Sequence, residues 1–417
     1  MENIIDDLNY RGLIKDYSNE EEIRKLLSTP QTVYCGFDPS ASSMHIGNFV
    51  MIATLMRLQR AGHRIIAVVG GATGMIGDPS GKSKERVLQT PERVKQNTQN
   101  IHDQLAKFLD LKDPKKGLLI NNYDWLSKIT LLDYLRDYAK YFSVNYMLAK
   151  DIVSSRLESG ISLTEFTYMT LQSIDFLHLH REYGVNIQIG GSDQWGNLTA
   201  GIDLIKKLEG PEAKAECMTG HLITRSDGKK FGKSEDGALF LDPKLTSPYK
   251  LYQFFYNQSD EDCIRYLKIF TFLTKEEISK IEKEHLAALG ARIGQKVLAF
   301  EVTKIVHGEE KANEAKNMSE ALFSNDFASL TQENIEELFE NYKISIDSIE
   351  PLEDLLIQIK AASSKREARE FLKNNAISIN GIKEVDGNKV FSKNDCLFNK
   401  YLIIKRGKKN YYLVEVK

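Results

Sequence analysis

The chain has 417 residues, of which 42% are hydrophobic and 27% charged, a balance that suits a soluble globular protein of two or three domains. The formal net charge of −2 hides an asymmetry: residues 351–417 carry 14 Lys and Arg against 8 Asp and Glu, a net +6 that leaves −8 on the remainder. The N-terminus, MENIIDDLNYRG, is acidic with no apolar run, no stretch approaches membrane-spanning length, and Cys35, Cys217, Cys263 and Cys396 are too scattered for a metal knuckle or a redox pair. A reduced, cytoplasmic protein is expected, with no signal peptide, no membrane partner and no protein-held metal.

In chain order, TVYCGF at 32–37 reads as a short buried strand. Residues 44–61 place Ile46, Val50, Ala53, Leu55 and Leu58 close to helical spacing, with Gly62 as the stop. RIIAVV at 64–69 is a second apolar strand, so strand, helix and strand form a βαβ unit and predict a parallel sheet. LLIN at 118–121 and VNIQIG at 185–190 continue it, with helical patterns between. The expectation is a doubly wound α/β (Rossmann-like) domain over 1–220. A helical domain follows over 221–323, as EEISKIEKEHLAAL at 276–289 suggests. A polar connector is expected over 324–350. A small basic α+β domain over 351–417 holds two short helices, a turn at Asn380-Gly381 and two strands joined around Gly407. A basic module on an acidic body suits a polyanion, although a solvated Lys-rich surface has the same composition.

In a doubly wound sheet ligands sit beyond the carboxyl ends of the strands, and the first such corner reads YCGFDPSASSMHIGN at 34–48. Gly36 removes a side chain at the strand end, and Asp38, Pro39 and the serines, Ser40 among them, make the turn. His45, Gly47 and Asn48 fall in the first turn of the helix, where free N–H groups and the dipole favour phosphate. A capped helix with an incidental histidine is the plainer alternative.

GGATGMIGDPSGKS at 70–83 ends like a phosphate-binding loop, but only three residues separate Gly77 from Gly81, where that motif needs four. The glycines still bring backbone close to something, Asp78 suits a cation, and Lys82 and Arg86 suit anions. In TEFTYMTLQSIDF at 164–176, Tyr168, Gln172 and Asp175 are spaced by four and three and share one helix face. That ladder of donors and acceptors can orient a small ligand if the face lines a pocket. IQIGGSDQWGN at 187–197 repeats the open strand end at Gly190 and Gly191, with Asp193 suited to a ribose hydroxyl and Gln194 offering an amide. RSDGKKFGKSEDG at 225–237 sets Lys229, Lys230 and Lys233 among glycines, as a loop that grips and releases a polyphosphate would. Taken alone it is equally a solvated basic loop.

Taken in order, YCGFDPSASSMHIGN, GGATGMIGDPSGK, YMTLQSIDF, GGSDQWGN and KFGKS closely resemble the bacterial type of tyrosyl-tRNA synthetase, a class I aminoacyl-tRNA synthetase, over nearly the whole chain. The tryptophan-specific sister family is similar in fold but does not carry Tyr34 together with Asp175. The resemblance implies that L-tyrosine and ATP, with Mg²⁺ arriving on the nucleotide and no tightly bound cofactor, give tyrosyl-adenylate. The tyrosyl group then passes to the 3′ end of tRNA(Tyr).

The resemblance also assigns residues. Tyr34 and Asp175 take the substrate phenol, Asp78, Tyr168 and Gln172 its ammonium group, and Gly36 completes the tyrosine set. His45, Lys82, Arg86, Lys230 and Lys233 act on the phosphates. Cys35, Asp38, Ser40, Gly47, Asn48, Gly191, Asp193 and Gln194 complete the ATP set. A homodimer is implied. Lys365, Arg366, Arg369, Lys405, Arg406, Lys408 and Lys409 are the RNA-binding candidates of the basic tail. Two rival classes share part of this pattern: another α/β nucleotidyltransferase needing no tRNA, and an RNA-binding regulator without catalysis. The presence of both His45 and Lys233 speaks against the second.

Overall fold

The computed structural model describes residues 3–81, 87–154, 156–157, 160–226, 228, 231–234, 237–407 and 410–417. The expected Lys82, Arg86, Lys229, Lys230, Lys408 and Lys409 lie outside them. The chain divides into two compact units, one of residues 1–247 and 254–306, the other of 248–253 and 307–417.

The first unit is built on a six-stranded sheet of β1 (Ile14–Tyr17), β2 (Thr32–Phe37), β3 (Arg64–Val69), β4 (Gly117–Asn121), β5 (Val185–Gly191) and β6 (Glu216–Gly220), in the order β1-β6-β5-β2-β3-β4. Neighbours from β6 to β4 are parallel, and β1 is antiparallel to β6. The doubly wound sheet thus gains one antiparallel edge. IKDY offers a single buried residue, Ile14, and so no strand periodicity to read. Strand order reverses between β2 and β5, which puts the ligand crevice of an open α/β sheet beyond Phe37 and Gly191.

The helix Leu163–Tyr183 starts where Ser162 accepts from the Glu165 N–H and stops at Gly184, in the left-handed region at φ 66°. Its Ile174, Phe176 and Leu177 join Tyr34, Ile66, Val68, Leu198 and Ile205 in one apolar core. Gly201 lets the helix Trp195–Glu209 approach, since a Cβ there would stand 3.0 Å from Phe176 Cδ1.

A short ribbon, β7 (Lys233–Ser234) with β8 (Gly237–Ala238), follows the sheet, and helices Asp260–Phe270, Lys275–Ala287 and Ile293–His307 come after it. Two buried arginines hold the end of the first of these helices. Arg11 donates to the carbonyls of Lys268, Thr271 and Leu273, and Arg57 to that of Thr271. Cations at a helix C-terminus complement its dipole, while burial pushes the Arg57 guanidinium down to about 9.

The second unit carries β9 (Lys343–Ile346), β10 (Ile377–Ile379), β11 (Ile382–Lys383), β12 (Tyr401–Arg406) and β13 (Asn410–Val416), in the order β11-β10-β12-β13-β9. The expected NG turn is there, with Asn380 at φ 48° and Gly381 at φ 89°. β9 lies in the stretch read as a connector, yet it pairs in parallel with β13. Met318, Phe327, Leu330 and Ile335 pack with Tyr401, Ile403 and Leu413, so a boundary at 351 would cut through a sheet and a core.

Candidate active site

Tyr34, in the middle of β2, packs with Ile174, Phe176 and Leu177 of the helix Leu163–Tyr183. Tyr34 and Asp175 are each 2% exposed. Burial first, and then the Asp175 charge, push the Tyr34 phenol well above its usual value. Burial raises the Asp175 carboxyl to about 7, against hydrogen bonds that pull it down. Those bonds come from two residues the motif reading missed. Asn122 Nδ2 donates to Asp175 Oδ2 at 2.9 Å, and Trp125 Nε1 donates to Oδ1 at 2.7 Å. His178 stacks on Trp125 with ring centroids 4.4 Å apart. The available signal was the pair Asn121-Asn122 at the carboxyl end of a parallel strand.

Beside this pair lies a second cluster. Tyr168 Oη donates to Asp38 Oδ2 and Thr73 Oγ1 to Asp38 Oδ1, both at 2.7 Å. Asn122 Nδ2 also donates to Thr73 Oγ1 at 3.0 Å, which links the two clusters. Burial, then the charges of Asp38 and Asp78, raise Tyr168 well above its usual value. Gln194 Nε2 donates to Asp78 Oδ2 at 2.6 Å, and the Ser80 N–H to Oδ1 at 2.9 Å. Gln194 and Asp38, expected beside the nucleotide, are therefore engaged with Asp78 and Tyr168 of the tyrosine set. Two carboxylates near one phenol make a cation-attracting corner. Gln172 is half-buried on the same helix. Gly70 is a close-approach glycine: a Cβ there would fall 2.1 Å from Asp38 Oδ1.

At the phosphate-facing corner, His45 is exposed and N-caps the helix Ile46–Arg60. The Asn48 N–H donates to His45 Nδ1 at 3.3 Å, and the His45 N–H donates to Asn48 Oδ1 at 3.0 Å. This closed capping box accounts for asparagine as the fourth residue of the motif. An accepting Nδ1 leaves Nε2 as the ring N–H donor. The lysine loop meets this helix start. A Cβ on Gly232, at φ 79°, would lie 2.8 Å from Ile46 Cγ2 and 3.7 Å from the Gly47 nitrogen. Leu239 joins the two segments, its N–H donating to the Gly232 carbonyl and its carbonyl accepting from the Ile46 N–H. Phe231 anchors the loop in a ring cluster with Phe254, Phe255, Tyr266 and Phe270.

Ser40 is exposed in the turn, and Gly36 is open at the strand end. Cys35 is buried, its thiol pushed up to about 12 by desolvation, and so is a neutral group. Asp193 folds toward Gly191, where a Cβ would stand 2.6 Å from its Oδ1, and lies beside Gly81.

In the second unit, several RNA-binding candidates are already partnered. Lys365 pairs with Asp354 at 2.7 Å and Arg369 with Glu353 at 2.9 Å. Lys405 Nζ donates to Asn325 Oδ1 at 2.6 Å, and Arg406 to the Ala361 carbonyl. Arg366 is exposed and makes no ion pair or side-chain hydrogen bond among the described residues.

Comparison with known proteins agrees with this geometry. The family described as tRNA synthetases class I (W and Y) matches residues 27–324, and the Tyrosine--tRNA ligase SYY-like C-terminal domain matches 334–414. The Tyrosine--tRNA ligase of Listeria monocytogenes serotype 4a (strain HCC23) is 49% identical over 418 residues, covering 100% of both chains. That of Bacillus caldotenax is 50% identical over 415 residues, covering 99% of each. The crystal structure of a C-terminally truncated Aspergillus nidulans mitochondrial tyrosyl-tRNA synthetase superimposes with a TM-score of 0.70 at 31% identity, covering 78% of this chain and 95% of that one. The chain belongs to the class I tRNA synthetases (W and Y), and within them to the tyrosine--tRNA ligases.

Proposed function

We propose that this chain activates L-tyrosine with ATP and transfers the tyrosyl group to the 3′ end of tRNA(Tyr), in one crevice whose two ends divide the work. The observation that carries this reading is the meeting of the Gly232 backbone with the helix start at Ile46 and Gly47, in the same unit as the buried Tyr34 and Asp175. The nucleophile is the carboxylate of tyrosine, ionised at neutral pH, so no general base is required. Attack on the α-phosphorus drives negative charge onto the departing pyrophosphate, and catalysis is positioning and electrostatic stabilisation.

His45, through Nε2–H, and Ser40 take phosphate oxygens from the helix start. Lys230 and Lys233 close from the loop, with Lys82 and Arg86 assisting. Gly47, Asn48, Gly191, Asp193 and the neutral Cys35 thiol surround the nucleoside. Mg²⁺ enters as the ATP complex. Tyr34 and Asp175 take the phenol, and Asp78, Tyr168 and Gln172 the ammonium group, with Asp38 and Gln194 holding that corner. A phenylalanine ring would enter this desolvated corner without supplying the phenol bond to Tyr34 and Asp175, a loss of about 1–3 kcal/mol.

No described helix is long and apolar enough to cross a membrane, and a cytoplasmic site of action is part of the proposal. So is a homodimer, supported by Leu131, Leu132, Leu135 and Leu163, each more than half exposed on the first unit. Residues 1–220 are proposed as the catalytic domain, 221–323 as the helical domain on the anticodon side, and the basic tail as RNA-binding. Arg366 leads that tail because it is exposed and makes no ion pair among the described residues.

Tyrosine-dependent exchange of labelled pyrophosphate into ATP tests the activation step, and its absence would refute the reading. For the tail, Arg366→Ala is expected to leave exchange intact, weaken tRNA charging and lower the salt slope of tRNA binding by about one. An unchanged slope would remove Arg366 from the RNA surface.

A further inference from the structure

The turn 39–44, which carries Ser40 and delivers His45, belongs to no helix or strand. Its polar backbone must find partners elsewhere; the Leu241 N–H donates to the Met44 carbonyl at 2.8 Å, and the helix Pro91–Phe108 supplies several others. Asn97 Nδ2 donates to the Pro39 carbonyl at 3.1 Å, and Asn100 Nδ2 to the Ser42 carbonyl at 3.2 Å. Gln104 Oε1 accepts from the Met44 N–H at 2.9 Å, while its Nε2 donates to Ser43 Oγ at 2.9 Å. Gln89, just before the helix, donates to the Ser40 carbonyl at 3.1 Å and is itself bonded by Asn97 at 2.9 Å.

Positions 97, 100 and 104 follow i, i+3, i+7 spacing and share one face. Asn97 is 1% exposed and Gln104 7%. Asn97 also buries Oδ1 with no hydrogen-bond partner among the described residues, a cost that an apolar residue filling the same space would avoid. The burial of Asn97 is therefore tied to its donor rather than to packing alone.

From this ladder we infer that Gln104, Asn97 and Asn100 are positioning residues for the ATP end of the reaction. They act through the turn and touch no substrate, and they fix where Ser40 and His45 stand before the nucleotide arrives. The inference rests on the proposed activation chemistry but concerns residues that no motif contains. It sets a division: Asp38 is held from the tyrosine side by Tyr168 and Thr73, and the residues after it by side-chain amides together with the Leu241 and Asp242 N–H groups.

The test compares wild type, Gln104→Leu, Gln104→Glu and Asn100→Ala. Adenylate formation is followed against ATP concentration, tyrosine affinity by equilibrium dialysis, and amide hydrogen exchange over 39–44 in the free protein. Gln104→Leu is expected to raise the ATP KM or lower kcat by roughly 10- to 100-fold, with tyrosine affinity held within about twofold. Gln104→Glu, whose carboxylate still accepts from Met44 N–H, recovers most of the loss. The half-buried Asn100→Ala moves the same parameters less. Exchange over 39–44 quickens in the Leu variant and not in the Glu variant.

ATP and tyrosine parameters falling together, Glu performing no better than Leu, or unchanged exchange over 39–44 would each overturn the inference. A wild type inactive in pyrophosphate exchange would refute the functional reading instead, and hydrogen exchange alone would then decide the ladder.

Discussion

The two ends of the crevice are built on opposite principles. Where the phenol is proposed to sit, Tyr34 and Asp175 are each 2% exposed, and Asp175 has a hydrogen bond on each oxygen before any substrate arrives. Where the phosphates are proposed to sit, His45 and Ser40 are exposed, and order comes from backbone contacts between a helix start and a glycine. The difference teaches how selection and rate enhancement are separated. Selection needs buried groups that are costly to leave unpaired. Rate enhancement needs cations aimed at charge that develops only in the transition state.

The largest expected effect breaks the phosphate end alone. Lys233→Ala should slow adenylate formation by roughly 100- to 1,000-fold with tyrosine affinity nearly intact. A single-turnover rate equal to wild type would dissociate the loop from catalysis. Next, Asp175→Ala should weaken tyrosine by about 1–3 kcal/mol and narrow the gap to phenylalanine in the exchange assay. An unchanged ratio would take Asp175 out of recognition.

A smaller effect is set by pH. With Asp175 held at about 7 rather than 3.8, the folded chain keeps a proton that the unfolded chain releases between those values. This group's contribution to stability is therefore fully present below 3.8 and is lost as pH rises through about 7. Binding has the opposite slope. Tyrosine affinity should fall roughly fivefold as pH drops below 7, since the neutral acid loses the charge-assisted bond to the phenol, while phenylalanine affinity stays flat. Asp175→Asn should abolish the slope. The smallest effect sharpens the buried end: Trp125→Phe removes one of the two donors to Asp175. It should cost about 0.5–1.5 kcal/mol of tyrosine affinity and move the pH midpoint upward.

The sequence made the sheet legible wherever strands carried an apolar run or a clear apolar alternation. TVYCGF, RIIAVV and VNIQIG all lie in β2, β3 and β5. β1 and β9 were not legible: IKDY and KISI each bury only one residue and owe their existence to partners more than 60 residues away, Glu216–Gly220 and Asn410–Val416. The candidate site divides the same way. Tyr168, Gln172 and Asp175 could be placed together because one helix carries them. Asn122, Trp125 and Thr73 could not, because their meeting with Asp175 and Asp38 is made by the order of strands rather than by spacing along the chain. The amides at 97, 100 and 104 have a regular spacing, but the turn they hold lies more than 50 residues earlier.

In the second unit, β13 lies between β12 and β9 and is hydrogen-bonded to both. Its Leu413 and Val414 are fully buried, each in a different apolar cluster. The antiparallel β12 and the parallel β9 are therefore joined into one sheet through this single strand. Loss of residues 410–416 would leave β9 with no ladder partner and both clusters open to water.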